Sequence, residues 1–395
     1  MENRYDMIVV GAGISGLAMA YKAKKAGMSV LVLEKEGRSG GCVHSEVVAA
    51  AGSPFWLEMG AHTCYNTYAE LLKLINELGL LEQMQGREKQ SYRMLDDHKL
   101  VSILSRLHLF ELCTHFWQLF SLKKENSSIS DYYGAIVGEK NYRETFSHAF
   151  NAVICQHSAD VPADMLFKKR LRDKQMMRSY TFPTGLGDVI TALEEQLEIK
   201  KEQDIRSVQY IEGRYQLDVG DSLFYADKLV CATPVLAASR LLKDVWPEVA
   251  EQLNWVGEVE VESIGVVVEK ERLQLEHLAG IIAVDGDFYS SVSRDVIAHP
   301  SMRGMTFHFK PGLLDDGAKL EKIATVMGVE QSDFLYIFHK TNRLPAPDMG
   351  HHQLIEAVDG ALEGKSLALV GNYFSGVSIE DCLERTSSEF SRLCK

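Results

Sequence analysis

Apolar and polar residues near the start of the chain follow the pattern of a strand, a helix and a second strand. The apolar run at residues 7–10 lies between a polar segment and Gly11, which is typical of a short strand buried on both faces. Residues 17–26 are rich in helix-forming side chains, and Gly27 follows them as a helix terminator. A second apolar run at residues 30–33 ends at Glu34. The pattern predicts a strand–turn–helix–strand unit of an α/β fold.

Further strands and helices are expected along the rest of the chain. Leucine spacing predicts a helix over residues 68–81, and residues 90–100 predict a hairpin that turns at residues 96–97. Other helices are expected within residues 126–180 and over residues 189–197. Other strands are expected at residues 43–48, 205–219, 223–229, 263–268, 280–284, 305–309, 334–338 and 366–370. Between residues 259 and 338 strands predominate, which predicts a second sheet.

Residues 100–122 contain apolar side chains at helical spacing. They are Ile103, Leu104, Leu107, Phe110, Cys113, Phe116, Trp117 and Phe120, and Lys123 and Lys124 follow. The pattern favours a helix that packs in the core of a helical subdomain. The alternative is an amphipathic surface helix that lies against a membrane with its lysines at the headgroups.

Composition narrows the class of protein. The 395 residues suffice for two domains, and the formal charge of −13 argues against a nucleic-acid partner, which needs a basic face. The seven cysteines have neither CxxC pairing nor metal-ligand spacing, so we expect reduced thiols and no metal site. The first apolar run is too short for a signal peptide, and no window is long enough to span a membrane. We expect a cytoplasmic protein, with contact at the inner membrane face left open.

A complete G-x-G-x-x-G motif follows the first predicted strand. In a strand–turn–helix context Gly11 permits the tight turn, Gly13 lets the backbone approach a pyrophosphate, and Gly16 lets helix and strand pack closely. The helix N-terminus then directs unpaired N–H groups at the phosphates, and Glu34 can accept both hydroxyls of an adenosine ribose. The predicted contacts of this motif are Gly11, Ala12, Gly13, Ile14, Ser15, Gly16 and Glu34. The sequence therefore predicts a dinucleotide site.

A second glycine pair follows shortly after Glu34. Gly40 and Gly41 allow another close backbone approach to a long ligand, and Arg38 can neutralise phosphate charge. This acid followed by R-x-G-G resembles the FAD-binding signature of the flavin amine oxidase superfamily. Cys42 stands where amine oxidases usually carry arginine, and the G-G-x-x-x-S spacing from Gly40 is similar to the protoporphyrinogen oxidase branch. The candidate contacts here are Lys35, Arg38, Ser39, Gly40, Gly41 and Cys42.

The end of the chain carries a second resemblance to the same branch. The order G-N-x-x-x-G-V-x-x-x-D-C begins at Gly371, which can admit the pyrophosphate or ribityl chain, and Asn372 can hydrogen-bond it. A helix that begins near Val377–Ser378 would direct its positive end at the flavin N1–C2=O edge. Both ends of the chain are therefore expected to build one FAD site.

The resemblance implies further site residues. Met59, Gly60 and Ala61 would lie beside the flavin, the backbone of Ile205 or Val208 would bind adenine, and Ala232 and Thr233 would pass close to the nucleotide. On the substrate side the resemblance suggests Arg93 for acidic groups, His62 for a substrate or supporting hydrogen bond, and Lys310 for a lysine–water pair. Tyr373 and Phe374, next to Asn372, are candidate aromatic walls. Taken together, the candidate catalytic residues are Tyr373, Phe374, Arg93 and His62.

These observations predict an α/β fold with a glutathione-reductase-type, Rossmann-like FAD-binding domain and an inserted α+β substrate domain. The FAD domain is expected to comprise residues 1–75, 185–255 and 355–395, and the substrate domain residues 76–184 and 256–354. Non-covalent FAD would take hydride from a small-molecule substrate at flavin N5, with O2 as acceptor. A pyrrole-like or heteroaromatic substrate is favoured, an amine or amino-acid oxidase is the alternative, and a flavin-dependent isomerase or a non-catalytic flavoprotein stays open. The oligomeric state is not predicted.

Overall fold

The computed structural model describes residues 3–50, 52–284 and 286–394. Its strands are β1 Arg4–Val10, β2 Val30–Leu33, β3 Ser45–Val48, β4 Phe55–Glu58, β5 Cys64–Tyr65, β6 Gln85–Gly86, β7 Tyr92–Asp96, β8 Lys99–Ser102, β9 Ser179–Thr181, β10 Glu198–Lys200, β11 Ser207–Ile211, β12 Arg214–Asp218, β13 Leu223–Cys231, β14 Gly257–Glu269, β15 Gly280–Ala283, β16 Phe288–Ser293, β17 Met302–Phe309, β18 Phe334–Ala346 and β19 Leu367–Leu369. Its helices are α1 Ile14–Lys25, α2 Ala69–Glu77, α3 Leu109–His115, α4 Ile129–Val137, α5 Glu139–Asn141, α6 Ser147–Ile154, α7 Gly187–Glu194, α8 Val235–Leu242, α9 Pro247–Leu253, α10 Asp316–Met327, α11 His351–Leu362 and α12 Ile379–Leu393.

The first sheet joins strands from both ends and the middle of the chain. Its order is β10-β2-β1-β13-β12-β11, and β19 pairs with the second half of β13. Strands β2, β1, β13 and β19 run parallel to one another. Because the carboxyl ends of parallel strands meet at one edge, the segments that follow β1, β13 and β19 leave the sheet together there. The predicted α/β fold, with the first and last parts of the chain in one sheet, is confirmed.

Both faces of the first sheet are covered, which explains why its strands are apolar without alternation. Met7 and Val9 contribute to a core with α1, α7 and α12, while Ile8 and Val10 contribute to the opposite core with α8, α9 and α11. The four side chains are at most 6% exposed. Such two-sided burial is characteristic of parallel sheets in α/β proteins.

The second sheet has the order β18-β14-β17-β16-β15-β7-β8 and is antiparallel except where β15 meets β7. One face packs against α10 through a core of aliphatic and aromatic side chains. The other face meets β4, where a methyl group on Gly265 would lie 2.8 Å from Sδ of Met59. Strand β16 was not predicted, because half of its residues are serines. The predicted hairpin is present as β7 and β8, and it turns at Asp97 and His98.

The segment between β8 and α4 corrects one prediction. It forms two 3-10 turns, Ile103–Arg106 and Phe116–Phe120, on either side of the short helix α3, and none of the side chains at residues 103–127 is buried. Ile103 and Leu112 are partly buried against neighbouring cores, whereas Phe110, Trp117 and Phe120 are exposed. The expected packing of the whole apolar face in a core is therefore wrong. The helical core nearby is built instead by α4, α6 and the segment that follows.

Candidate functional site

The turn between β1 and α1 has glycines where side chains do not fit. Gly11 has a φ of +101°, and a Cβ there would lie 2.6 Å from the carbonyl oxygen of Ala232, which follows β13. A Cβ on Gly16 would lie 2.0 Å from the carbonyl oxygen of Gly11. Gly13 differs, since a Cβ there would meet nothing within 4 Å. Two glycines therefore close the turn, while the third leaves open space for a ligand.

Glu34 reaches the same turn from the end of β2. Its carboxylate accepts hydrogen bonds from the backbone N–H groups of Ala12, at 2.6 Å, and Glu36, at 2.8 Å. The backbone N–H of Gln203 donates to the Glu34 carbonyl at 2.8 Å, which brings the residues before Ile205 to this end of the sheet. Lys35 points into solvent opposite Asp204. The carboxylate thus lies where the fingerprint requires a ribose ligand.

The second glycine loop lies directly on the first. The N–H of Gly40 donates to the carbonyl of Ala12 at 2.7 Å, and a Cβ on Gly41 would lie 3.3 Å from Cα of Gly13. Arg38 donates from Nη1 to the Ser39 carbonyl and from Nη2 to the Gly41 carbonyl, each at 3.1 Å. The two glycine loops therefore form a continuous backbone surface.

The C-terminal segment completes this edge of the sheet. Gly371 follows β19, and Ser378 caps α12: its Oγ accepts from the N–H of Asp381 at 3.1 Å, and Asp381 accepts from the N–H of Ser378 at 3.2 Å. Helix α12 packs against α1. The predicted start of a helix just after Val377 is confirmed, because the capping box fixes it.

Several buried polar atoms at this edge and in the adjoining interface lack a partner. Oγ1 of Thr233, Nδ1 of His44 and Oδ1 of Asn342 have no hydrogen bond within the part of the chain that the structure describes. Buried polar groups normally have partners, so unpaired ones indicate where a polar ligand fits. Together with the open space at Gly13, they fit an extended dinucleotide such as FAD.

Glu58 ties β4 to the loop before α7. Its carboxylate accepts from the N–H of Leu186 and from Oγ of Ser45, both at 2.7 Å. Burial raises the pKa of Glu58 to about 7, although these hydrogen bonds and the Arg87 charge act in the opposite direction. Glu58 therefore holds together the segment that carries Met59, Gly60 and Ala61.

The free protein is expected to lose stability between pH 4.5 and pH 7 because of Glu58. In that range the folded state binds more protons than the unfolded chain, so the free energy of unfolding falls as pH rises. Glu58→Gln should flatten this dependence by about 2–3 kcal/mol, measured by urea unfolding at several pH values. The exposed Glu260→Gln serves as the control, and an unchanged slope in Glu58→Gln would contradict the assignment.

Two neutral histidines lie between β4 and the second sheet. The His62 and His308 rings are stacked at 6.3 Å, and Nδ1 of His308 is 3.0 Å from Oγ of Ser263. Burial lowers the pKa of His62 to about 4 and that of His308 to about 3. Asn342 completes this group, which we call the histidine interface: its Nδ2 donates to the Met59 carbonyl at 2.8 Å and to Ser263 at 3.1 Å. The interface is polar but uncharged at neutral pH.

The structure also shows where five other candidate residues lie. Arg93 pairs with Glu276 at 2.5 Å on the sheet surface. Tyr373 and Phe374 are buried in the core with α8, α9 and α11, so their positions give no support to a role as substrate walls. Val208 lies on β11 at the edge of the first sheet, three strands away from β1, and the adenine contact by Ile205 or Val208 stays a prediction. The fifth, Lys310, lies over the Tyr289 ring.

Sequence reasoning missed Lys340, Asn342, His308 and Arg87. Nζ of Lys340 donates to the Gly41 carbonyl at 2.7 Å, and Nη1 of Arg87 donates to the His62 carbonyl at 2.9 Å. No local motif marks these residues, because strand pairing and sheet packing bring them to the site. Within the described residues, no group of three or more His, Cys, Asp and Glu side chains could hold a metal ion.

Comparisons with known proteins agree with this geometry. The model of an NAD(P)-binding Rossmann-like domain matches residues 9–78. Protoporphyrinogen oxidase 2 of Arabidopsis thaliana is 32% identical over 165 residues, which cover 38% of this chain and 30% of that protein. The match therefore spans less than a third of that relative's length.

Two solved structures share the fold over nearly the whole chain. A redesigned double mutant of putrescine oxidase has a TM-score of 0.75 at 14% identity, with 100% of each chain covered. The CLA-producing fatty acid isomerase from P. acnes has a TM-score of 0.76 at 16% identity, with 99% of each chain covered. At these identities the likeness shows the fold alone.

Proposed function

We propose that this chain, which belongs to the flavin amine oxidase superfamily, binds FAD non-covalently and oxidises a small pyrrole-like or heteroaromatic substrate, with O2 as electron acceptor. One observation carries the proposal: both glycine loops and the segments after β13 and β19 meet at one sheet edge, around open space at Gly13. When bound, FAD supplies a hydride acceptor at N5.

The chain itself would bind and position the two ligands. Glu34 would accept the ribose hydroxyls, and the turn around Gly13 would receive the pyrophosphate. The unpaired atoms of Thr233, His44 and Asn342 would hydrogen-bond the ligands. Proposed cofactor contacts are Gly11, Ala12, Gly13, Ile14, Ser15, Gly16, Glu34, Lys35, Arg38, Ser39, Gly40, Gly41, Cys42, Met59, Gly60, Ala61, Ile205, Val208, Ala232, Thr233, Gly371, Asn372, Val377 and Ser378.

On the substrate side the side chains of the histidine interface carry no charge of their own, and the Arg87 guanidinium lies beside them at the His62 carbonyl. His62 and His308 carry no charge at pH 7, because burial lowers the pKa of each. His62 is 3.1 Å from the Gly60 carbonyl through Nδ1, so Nδ1 donates and Nε2 stays available as an acceptor. We place the substrate domain at residues 76–184 and 256–354, and the membership of β7, β8 and β14–β18 in one sheet supports this division.

Anaerobic addition of candidate substrates to the FAD-loaded protein tests the proposed reaction. We expect absorbance near 450 nm to bleach with a porphyrinogen or another reduced pyrrolic compound, and to return when O2 is admitted. Bleaching by amines or amino acids with release of peroxide would instead favour the alternative oxidase. Bound flavin that no candidate reduces would favour an isomerase or a non-catalytic flavoprotein and contradict the proposal.

We also propose that the exposed apolar segment contacts a membrane surface. Phe110, Phe120 and Trp117 are 85%, 80% and 59% exposed, and Leu171, on a neighbouring loop, is 94% exposed. Lys124 joins the two segments through hydrogen bonds to the carbonyls of Leu166 and Phe167. Large exposed apolar patches mark interaction sites, and the exposed Lys169, Arg172 and Lys174 suit anionic headgroups. Lys168 and Arg170 are already paired with Asp381. Within the described residues no helix is long and apolar enough to cross a bilayer.

Sedimentation with phosphatidylglycerol-containing vesicles tests this contact. We expect the wild-type chain to pellet with the vesicles and the triple variant Phe110→Ser, Trp117→Ser, Phe120→Ser to lose most of this binding, about tenfold or more. The exposed Trp255→Ser is the control. Equal binding of the wild type and the triple variant to the vesicles would contradict the proposal. A wild type that forms a stable dimer, together with a triple variant that is monomeric, would also contradict it, because the apolar segment would then be a dimer interface.

A further inference from the structure

Two positively charged side chains converge on one backbone carbonyl of the second glycine loop. Nζ of Lys340 donates to the carbonyl oxygen of Gly41 at 2.7 Å, and Nη2 of Arg38 donates to the same oxygen at 3.1 Å. Among the described residues, no carboxylate forms an ion pair with either cation. Two like charges that share one acceptor repel each other, and a bound anion would turn this repulsion into attraction.

The carbonyl that they share lies beside the pyrophosphate-facing glycine. Gly41 packs against Cα of Gly13, and Gly13 is followed by open space and by the N-terminus of α1. Lys340 does not belong to this part of the chain. It lies on β18 of the second sheet, where it pairs with Ser263 of β14. Its ammonium therefore reaches across the boundary between the two sheets to the phosphate-binding loops.

Cys42, the residue after Gly41, explains why the second glycine loop would need a cation from another part of the chain. Position 42 is a cysteine in this chain, whereas the flavin amine oxidase signature usually has an arginine there. The Gly41 carbonyl that Lys340 contacts belongs to the residue before Cys42, and burial raises the pKa of the Cys42 thiol, so this side chain carries no charge at pH 7. The Lys340 ammonium thus lies beside the side chain that lacks the usual positive charge.

We propose that Lys340 is a phosphate ligand of the FAD site, contributed by the second sheet, and that it replaces the charge which Cys42 does not supply. The inference rests on the proposed FAD site and adds a contact that the N-terminal motifs do not contain. Burial lowers the pKa of Lys340 to about 8, which shows that this ammonium is held at a cost when no anion is present. A pyrophosphate would offset that cost, and it would also connect the two sheets.

Calorimetric titration of the flavin-free protein with FAD, ADP and riboflavin tests the inference. ADP carries the two phosphates without the flavin ring, and riboflavin carries the ring without phosphates. Lys340→Met is expected to lower the affinity for FAD and for ADP by about 10- to 100-fold and to leave the affinity for riboflavin unchanged. The affinity of Lys340→Arg for FAD and ADP should stay within about threefold of that of the wild type, because arginine keeps the positive charge.

Two further variants control for packing and test the replacement. Lys310→Met removes a lysine that directly follows β17 and lies over the Tyr289 ring, and it should leave the affinities for FAD, ADP and riboflavin unchanged. Adding Cys42→Arg to Lys340→Met should recover at least tenfold in affinity for FAD and ADP, which a merely structural role of Lys340 does not predict. Unfolding in urea confirms that each variant is folded.

The titrations separate this inference from the proposed function. If the wild type binds FAD and Lys340→Met binds FAD and ADP equally well, the inference is wrong while the FAD site stands. If Lys340→Met lowers the affinity for riboflavin as much as the affinity for FAD, Lys340 acts on the flavin ring and the phosphate assignment is wrong. If the wild type binds neither FAD nor ADP, the proposed function itself fails and the inference fails with it.

Discussion

The Gly13→Val variant is expected to fold as the wild type does and to lose FAD binding. A Cβ at Gly13 would meet nothing within 4 Å, and the residue has a φ of −71°, which residues with side chains readily adopt. The added side chain would instead fill the space proposed for the pyrophosphate. We expect the dissociation constant of FAD to rise at least 100-fold, about 3 kcal/mol, measured by flavin fluorescence titration.

Variants at two other glycines serve as comparisons for Gly13→Val. Gly16→Ala should lose the fold, because its methyl group would lie 2.0 Å from the Gly11 carbonyl oxygen. Gly360→Val, on α11, also meets nothing within 4 Å and should keep both the fold and FAD binding. Tight FAD binding by Gly13→Val would place the pyrophosphate elsewhere and contradict the proposed site.

The Asp295→Ala variant is expected to lose about 3–5 kcal/mol of unfolding free energy, because it leaves the Arg303 guanidinium buried without its carboxylate. Asp295 accepts from Nε of Arg303 at 2.9 Å and from Nη2 at 2.5 Å, and both side chains are about 5% exposed. The pair lies where β16 and β17 meet, so its loss should weaken the sheet that carries His308. Urea unfolding at pH 7 gives the measurement.

An exposed pair of the same type is the control. Arg343 and Glu260 are about half exposed at 3.0 Å, so Glu260→Ala should cost less than about 1 kcal/mol. The double variant Asp295→Ala, Arg303→Met should recover part of the loss, because it removes the unpaired charge as well. A single Asp295→Ala variant as stable as Glu260→Ala would show that Arg303 finds another partner.

The sequence predicted the first sheet and the outline of the dinucleotide site. The glycines at 11, 13 and 16 and the acid at 34 act through local geometry, since each must occupy a fixed place in one turn. The same holds for the C-terminal helix, whose start at Ser378 depends on a capping box within four residues. Such contacts join residues that are close in sequence, so they can be recognised without a structure.

The direction of side chains could not be predicted from local patterns. Tyr373 and Phe374 follow the site in sequence, yet their rings point into the opposite core. Residues 103–120 have the apolar spacing of a core helix. Ile103 and Leu112 pack in part against neighbouring cores, yet Phe110, Trp117 and Phe120 are exposed. Apolar periodicity predicts that one face of a helix is apolar. It does not predict whether a core, a partner or a membrane contacts that face.

By itself the sequence determined the α/β class, the two glycine loops and the meeting of both chain ends, because these follow from short-range patterns. Only the tertiary structure decided which side chains from the second sheet reach the site. Lys340, Asn342 and His308 come from strands that are distant in the chain from the glycine loops. Their positions depend on strand register and on how one sheet packs against β4, and no local pattern encodes either.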